Sequence, residues 1–134
     1  MSAETRSFSI SVVTPEKVVS EGQARFVALP AHDGEIGILR GRAPLVCKLD
    51  VGPLRIDRPD GSKEIWLIDG GFAEMSGNRL TILTEAAERP EEIDRETAKQ
   101  ALAEARQAPA VTDEQYAARQ HALKAARVQL RLLG

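Results

Sequence analysis

His32, Asp33 and Glu35 lie almost side by side in the run His32-Asp33-Gly34-Glu35. On a β scaffold, His32 and Glu35 at that spacing could begin a metal site of the small-barrel type. Such a site needs three or four ligands, and the only other histidine, His121, lies far along in helix-type sequence. Cys47 is the sole cysteine, so it makes neither an internal disulfide nor a thiolate cluster. The same shortage excludes a Ser-His-Asp triad, and no nucleophile-elbow sequence occurs. Gly34-Glu35-Ile36-Gly37 shares only its glycines with phosphate-cradling loops, because neither G-x-G-x-x-G nor G-x-x-x-x-G-K-[ST] is present. We therefore expect no catalytic centre, no metal and no cofactor. What remains for Asp33 and Glu35 is recognition. They share a glycine-bent stretch, Leu29 to Pro44, with Arg40 and Arg42, and a surface of mixed charge is suited to fixing register against a partner.

A second set of charges lies near the end of the chain. After Glu114 no acid occurs, while Arg119, Lys124, Arg127 and Arg131 follow. Complementarity to a helix dipole explains part of this excess. The remainder suggests docking to an acidic partner.

The elements that must carry these residues are of two kinds. Phe8, Ile10 and Val12 alternate with Ser7, Ser9 and Ser11, the period of a strand with one buried face, and Thr14-Pro15-Glu16 ends it. Leu45 to Leu49 and Leu54 to Ile56 read as short strands separated by Asp50-Val51-Gly52-Pro53. Arg58-Pro59-Asp60-Gly61 has the residues of a tight turn before Ile65 to Ile68. Ser76-Gly77-Asn78 makes a second turn between Phe72-Met75 and Leu80-Leu83. Many short strands at regular turn spacing indicate a β-sandwich or flattened barrel.

The pattern changes at Glu85, and eleven alanines fall between Ala98 and Ala126, as helices favour. Asp94 is placed as an N-cap, with Ile93 and Ala98 as its hydrophobic staple and Ala98, Ala101, Leu102, Ala105 and Ala108 as the apolar stripe. Pro109 stops this helix. Thr112-Asp113-Glu114-Gln115 forms a capping box for a second, with Val111 and Tyr116 as the staple and Tyr116, Leu123, Ala126, Leu130 and Leu133 on one side. The short connection favours an antiparallel hairpin. Alanine stripes bury little apolar area, so the hairpin is expected to be marginally stable and suited to switching. The expected fold is thus mainly β plus α: an N-terminal β-sandwich over 1–87, then an antiparallel two-helix hairpin over 88–134.

Composition narrows the function classes further. A net charge of −2 gives no drive toward nucleic acid. No run approaches the ~18 apolar residues of a membrane span, and the N-terminus, with Glu4 and Arg6, lacks the apolar core of a signal peptide. We expect no direct membrane insertion. The aromatic share of 4% requires an aliphatic core.

With these residues in view, the chain resembles the epsilon subunit of bacterial F-type ATP synthases, the counterpart of mitochondrial delta. The matching residues are Leu29-Pro30, Gly34 to Leu39, Ala43-Pro44-Leu45, Gly52 with Leu54-Arg55-Ile56, Gly70-Gly71-Phe72, Leu80 to Leu83, Ala87-Glu88 and Ile93-Asp94. The resemblance covers nearly the whole chain. It implies a non-catalytic rotor subunit whose sandwich joins gamma to the c-ring. It also implies a hairpin that reaches the alpha and beta subunits and inhibits ATP hydrolysis. Asp33, Glu35 and Arg42 would face the c-ring loops, on the cytoplasmic face of a bacterial inner membrane, held there by the complex. Where the family commonly has histidine before Ala-Pro, this chain has Arg42, a permanent cation. Some members bind ATP through Ile/Leu-Asp-x-x-Arg-Ala, an alternative reading as an ATP-sensing module. Here the run Ile93-Asp94-Arg95-Glu96-Thr97-Ala98 keeps Asp94 and Ala98 but has Thr97 in place of the phosphate-neutralising arginine, which favours Asp94 as a helix cap.

Overall fold

The computed structural model describes residues 6–134, so Glu4 lies outside the described residues. The chain divides into two units, Met1–Ala87 and Glu88–Gly134.

The first unit carries strands β1 (Phe8–Val13), β2 (Val18–Ala24), β3 (Phe26–Ala31), β4 (Gly34–Ile38), β5 (Leu45–Asp57), β6 (Lys63–Ser76) and β7 (Arg79–Leu83), followed by a two-residue β8 (Ala87–Glu88) at the boundary. The seven longer strands form one path, β2-β1-β7-β6-β5-β3-β4. All its neighbours are antiparallel except β1 and β7. The path curls back on itself into a β-sandwich. Ser20 on β2 donates to Glu64 on β6, three strands away along the path, and Arg40 beyond β4 reaches Ser7 O at the start of β1, 2.9 Å away.

Alternation dictates what lies between the layers. Phe8, Ile10 and Val12 are buried, and Ser9, Ser11 and Val13 are only half-buried, as the period-2 pattern requires. Val27, Leu29, Ile38, Leu49, Leu54, Ile56, Ile68, Met75, Leu80 and Ile82 complete the core. Each such aliphatic side chain contributes about 1.5–3 kcal/mol on burial. Phe8 is the one fully buried aromatic in this largely aliphatic core.

Two sequence expectations change here. Asp50-Val51-Gly52-Pro53 does not separate two strands, since β5 pairs with β6 in one register from Leu45↔Met75 to Asp57↔Lys63. The break is confined to the other side, where β5 bows away from β3 between Ala28↔Arg55 and Ala31↔Leu49. Pro53 sits in that bow, so its missing N–H costs no ladder bond, and Gly52 passes so close to Pro30 that a Cβ would lie 2.7 Å from it. The stretch from Leu29 to Pro44 is likewise less of a loop than its glycines suggest. β3 runs to Ala31 and β4 occupies Gly34–Ile38. Gly37 leaves room for the Phe26 ring, which a Cβ would meet at 2.9 Å.

β6 turns sharply at Gly70-Gly71 (φ 69° and 106°). At Gly71 a Cβ would fall 1.8 Å from Leu83 O, so only glycine fits this bend.

In the second unit, α1 (Arg95–Gln107) and α2 (Asp113–Leu132) pack as an antiparallel pair. The Arg95 guanidinium, at the start of α1, donates to Leu133 O beyond the end of α2 (3.0 Å). At the other end Arg119 donates to Ala105 O and Arg106 O of α1, both at 3.1 Å. The capping box forms as read: Gln115 N–H donates to Thr112 Oγ1 at 3.0 Å, and Thr112 N–H donates to Gln115 Oε1 at 3.2 Å. The Val111–Tyr116 staple does not form, since Val111 is 91% and Tyr116 55% exposed. The buried line of α2 is Leu123, Ala126 and Val128, while on α1 it is Ala98 and Ala105, with Ala101 exposed.

Candidate partner-binding surfaces

Asp33 lies in the β3–β4 turn, which His32 N–H ties to Lys48 O of β5 at 2.9 Å. Glu35 lies on β4 opposite Pro30. Both acids are exposed, as is Arg42. Arg42 belongs to a different turn, closed by its own N–H to Leu39 O at 3.2 Å. Its charge reaches Cys47, whose thiol pKa is pushed up by burial and partly drawn back by a backbone hydrogen bond at Ala73 and by Arg42. Asp33 and Arg42 thus occupy two turns at the margin of the sandwich, one at each end of β4, and Glu35 lies on β4 next to the first.

The Arg42 turn is braced on both sides. Arg40 donates to Ser7 O, and Gly41 N–H donates to Asn78 Oδ1 at 2.8 Å. Arg40 was read from the sequence as part of a charged surface, whereas the fold uses its guanidinium as a strap.

An apolar strip that sequence reasoning missed lies on the outer face of the sheet. Lys48, Phe72, Leu83 and Val13 stand on one rung across β5, β6, β7 and β1. Phe72 is 56% and Leu83 53% exposed, and Val46, beside Glu74 on the same face, is 68% exposed. A shallow apolar cavity of about 330 Å³ opens where Val13, Pro15, Phe72 and Leu83 meet. The signal was present in the alternation of β6: Phe72, Glu74 and Ser76 share a parity opposite to that of buried Ala73 and Met75.

A polar cluster, also missed, fastens β2 to the β5–β6 hairpin. Glu64 accepts from Ser20, from Trp66 Nε1 at 2.8 Å and from Arg58 at 3.2 Å, while Arg58 also donates to Ser20 Oγ and Gln23 O. Partial burial pushes the Glu64 carboxyl up, and these donors outweigh it, leaving its pKa below the ordinary glutamate range.

On the hairpin, the four bases separate. Arg119 is half-buried and engaged with carbonyls of the last turn of α1, at Ala105 and Arg106. Lys124, Arg127 and Arg131 are exposed and share one helical face at i, i+3, i+7. Asp94 is the residue before α1, but its carboxylate makes no hydrogen bond to a cap amide. It instead accepts from Thr97 Oγ1 at 2.6 Å, and this bond holds its pKa below the ordinary aspartate range. Ala98 is buried. His32 and Glu35 acquire no third ligand: among the described residues no group of three His, Cys, Asp or Glu could hold a metal ion. No helix among them is long and apolar enough to cross a membrane.

The β-sandwich domain model of the ATP synthase delta/epsilon chain matches residues 7–90. The ATP synthase epsilon chain of Carboxydothermus hydrogenoformans is 48% identical over 98 residues, spanning 73% of this chain and 72% of that one. The epsilon chain of Rhodopirellula baltica is 42% identical over 120 residues, 90% of this chain and 93% of that one, so this similarity reaches into the hairpin. Among solved structures, a chain in the cryo-EM structure of the Euglena gracilis mitochondrial ATP synthase, OSCP/F1/c-ring in rotational state 1, superposes with a TM-score of 0.84 at 25% identity over 93% of this chain and 80% of that one. A domain match over more than half the chain, and relatives this similar over most of its length, place the protein plainly: it belongs to the ATP synthase delta/epsilon chain family.

Proposed function

We propose that this chain is a non-catalytic rotor subunit that joins the gamma subunit to the c-ring during ion-driven ATP synthesis. The observation that carries this reading is that the first unit presents two exposed surfaces of different chemistry. The strip of Val46, Phe72 and Leu83 is apolar, and burying it against a partner stabilises the assembly in proportion to the area covered. We assign it to gamma. The margin bearing Asp33, Glu35 and Arg42, on β4 and the turns at its two ends, is polar and exposed, suited to the polar loops of a ring. A sheet braced at Ser7, Asn78 and Lys48 links the two surfaces, so torque applied at one is delivered at the other. The whole would lie peripherally at the cytoplasmic face of a bacterial inner membrane, retained by its partners.

The hairpin is the regulatory part of the proposal. Lys124, Arg127 and Arg131 form a basic line for acidic surfaces of the alpha and beta subunits, and its docking there restrains ATP hydrolysis. The alternative of an ATP sensor gains no support from Asp94, which is held by Thr97 and has no arginine in the pattern to neutralise phosphate.

The test is ATP hydrolysis by the assembled enzyme with the full chain and with a chain ending at Glu88. The proposal expects assembly to persist and hydrolysis to rise. Unchanged hydrolysis refutes the regulatory part, and loss of assembly refutes the assignment of docking to the first unit.

A further inference from the structure

We infer that Asn78 is a positioning residue for the partner contact at Arg42, a role that rests on the reading of Arg42 as a c-ring contact. Gly77 and Asn78 are the two central residues of the β6–β7 hairpin, with φ of 57° and 59°. Such a turn requires left-handed backbone at both positions, and glycine adopts it with least strain. Asparagine at the second position therefore adds a side chain where none is needed for the turn itself.

That side chain has a definite partner. Asn78 Oδ1 accepts from Gly41 N–H at 2.8 Å, one residue before Arg42. The backbone of the same residue faces the other way, its carbonyl accepting from Ser9 N–H at 3.0 Å. One residue thus joins the end of β6, the start of β1 and the turn that displays Arg42. A second tie comes from Arg40, whose guanidinium reaches Ser7 O at 2.9 Å.

These two bonds fix residues 40 and 41, so the backbone that bears Arg42 is held to the sheet and does not sample the range open to an exposed turn. Preorganisation of this kind strengthens a contact by lowering the ordering cost on binding. It also makes the contact stiff, as transmission of rotation demands. The Arg42 amide adds a third tie by closing the turn on Leu39 O at 3.2 Å, a backbone bond that leaves the guanidinium out of the bracing.

Two substitutions separate the side chain from the backbone. Asn78→Gly keeps the left-handed conformation and removes the acceptor, while Asn78→Asp keeps an acceptor at the same place. Amide hydrogen exchange on the full chain is read at Gly41, beside affinity for the c-ring reconstituted with its central stalk, with Arg42→Ala as the reference for losing the contact. The expected result is exchange at Gly41 about five- to tenfold faster in Asn78→Gly, the factor one hydrogen bond supplies. Ring affinity should fall in the same variant, Asn78→Asp should restore both, and the melting transition should stay close to that of the parent. Unchanged exchange at Gly41 in Asn78→Gly overturns the positioning role. Faster exchange with ring affinity unaffected by Arg42→Ala overturns the ring reading instead, and leaves the strap a local brace.

Discussion

Removing the Glu64 carboxylate tests how the sandwich is closed. Glu64→Ala deletes the common acceptor of Ser20, Trp66 and Arg58; the Ser20 bond joins edge strand β2 to the β5–β6 hairpin, and the other two hold the carboxylate within that hairpin. The Arg58 and Glu64 side chains are 17% and 21% exposed, so the Arg58 cation left behind is only partly rehydrated. A hydrogen bond to a charged group contributes about 1.5–3 kcal/mol. Three bonds to one carboxylate do not add independently, and residual solvation weakens each. The expected loss is about 2–3 kcal/mol, which for a unit of this size lowers Tm by roughly 10–20 °C. Glu64→Gln, which keeps one acceptor, should lose about half as much.

The assay is equilibrium unfolding of the full chain followed by Trp66 fluorescence, since the sole tryptophan belongs to the network. Combining Glu64→Ala with Arg58→Ala in a cycle isolates their coupling. Because the folded-state pKa of Glu64 lies below its ordinary value of 4.5, the carboxylate's contribution is fully present above that value and is lost as pH falls through the folded-state pKa. The destabilisation by Glu64→Ala should therefore shrink in acid. A loss under about 0.5 kcal/mol at neutral pH, or coupling near zero, would refute the proposed closure.

Other expectations follow from single contacts. Arg119→Ala removes two bonds to the last carbonyls of α1 and should destabilise the hairpin by about 1–2 kcal/mol, seen as faster hydrogen exchange across α1 with β-sheet amides unchanged. Gly71→Ala forces a methyl into Leu83 O at a left-handed φ, and should cost more than about 3 kcal/mol, measured as lost soluble yield or a collapsed denaturation midpoint. Arg42→Glu reverses the exposed charge in the braced turn and should weaken c-ring binding more than Arg42→Ala does, with a salt dependence that identifies the contact as electrostatic.

The parts of the fold legible in the sequence were those where local chemistry and tertiary structure agree. Serine alternation in β1, the Gly77-Asn78 turn and the Thr112–Gln115 capping box each specify their geometry within a few residues. Pro53 and Gly37 misled because their signals are local breaks, while the fold uses them on one side of a strand only. Val111 and Tyr116 had the spacing of a staple, but both side chains are exposed, and the buried residues of α2 lie further along the helix, at Leu123, Ala126 and Val128. Exposure of Asp33, Glu35 and Arg42 followed from composition. Their distribution over β4 and the turns at its two ends did not, because it depends on where β4 lies in the sheet. The Ser20–Arg58–Glu64–Trp66 cluster and the Asn78 strap join residues 44 and 37 positions apart at their longest side-chain links, Ser20 to Glu64 and Gly41 to Asn78, and no periodicity records such pairings.

Whether the chain links gamma to the c-ring is decided by affinity capture of the full chain co-expressed with both. Gamma and the c-ring should be retained together. Replacing Phe72 and Leu83 by aspartate should release gamma, and replacing Asp33, Glu35 and Arg42 by alanine should weaken the ring contact selectively. A chain that remains monomeric and retains neither partner would contradict that link.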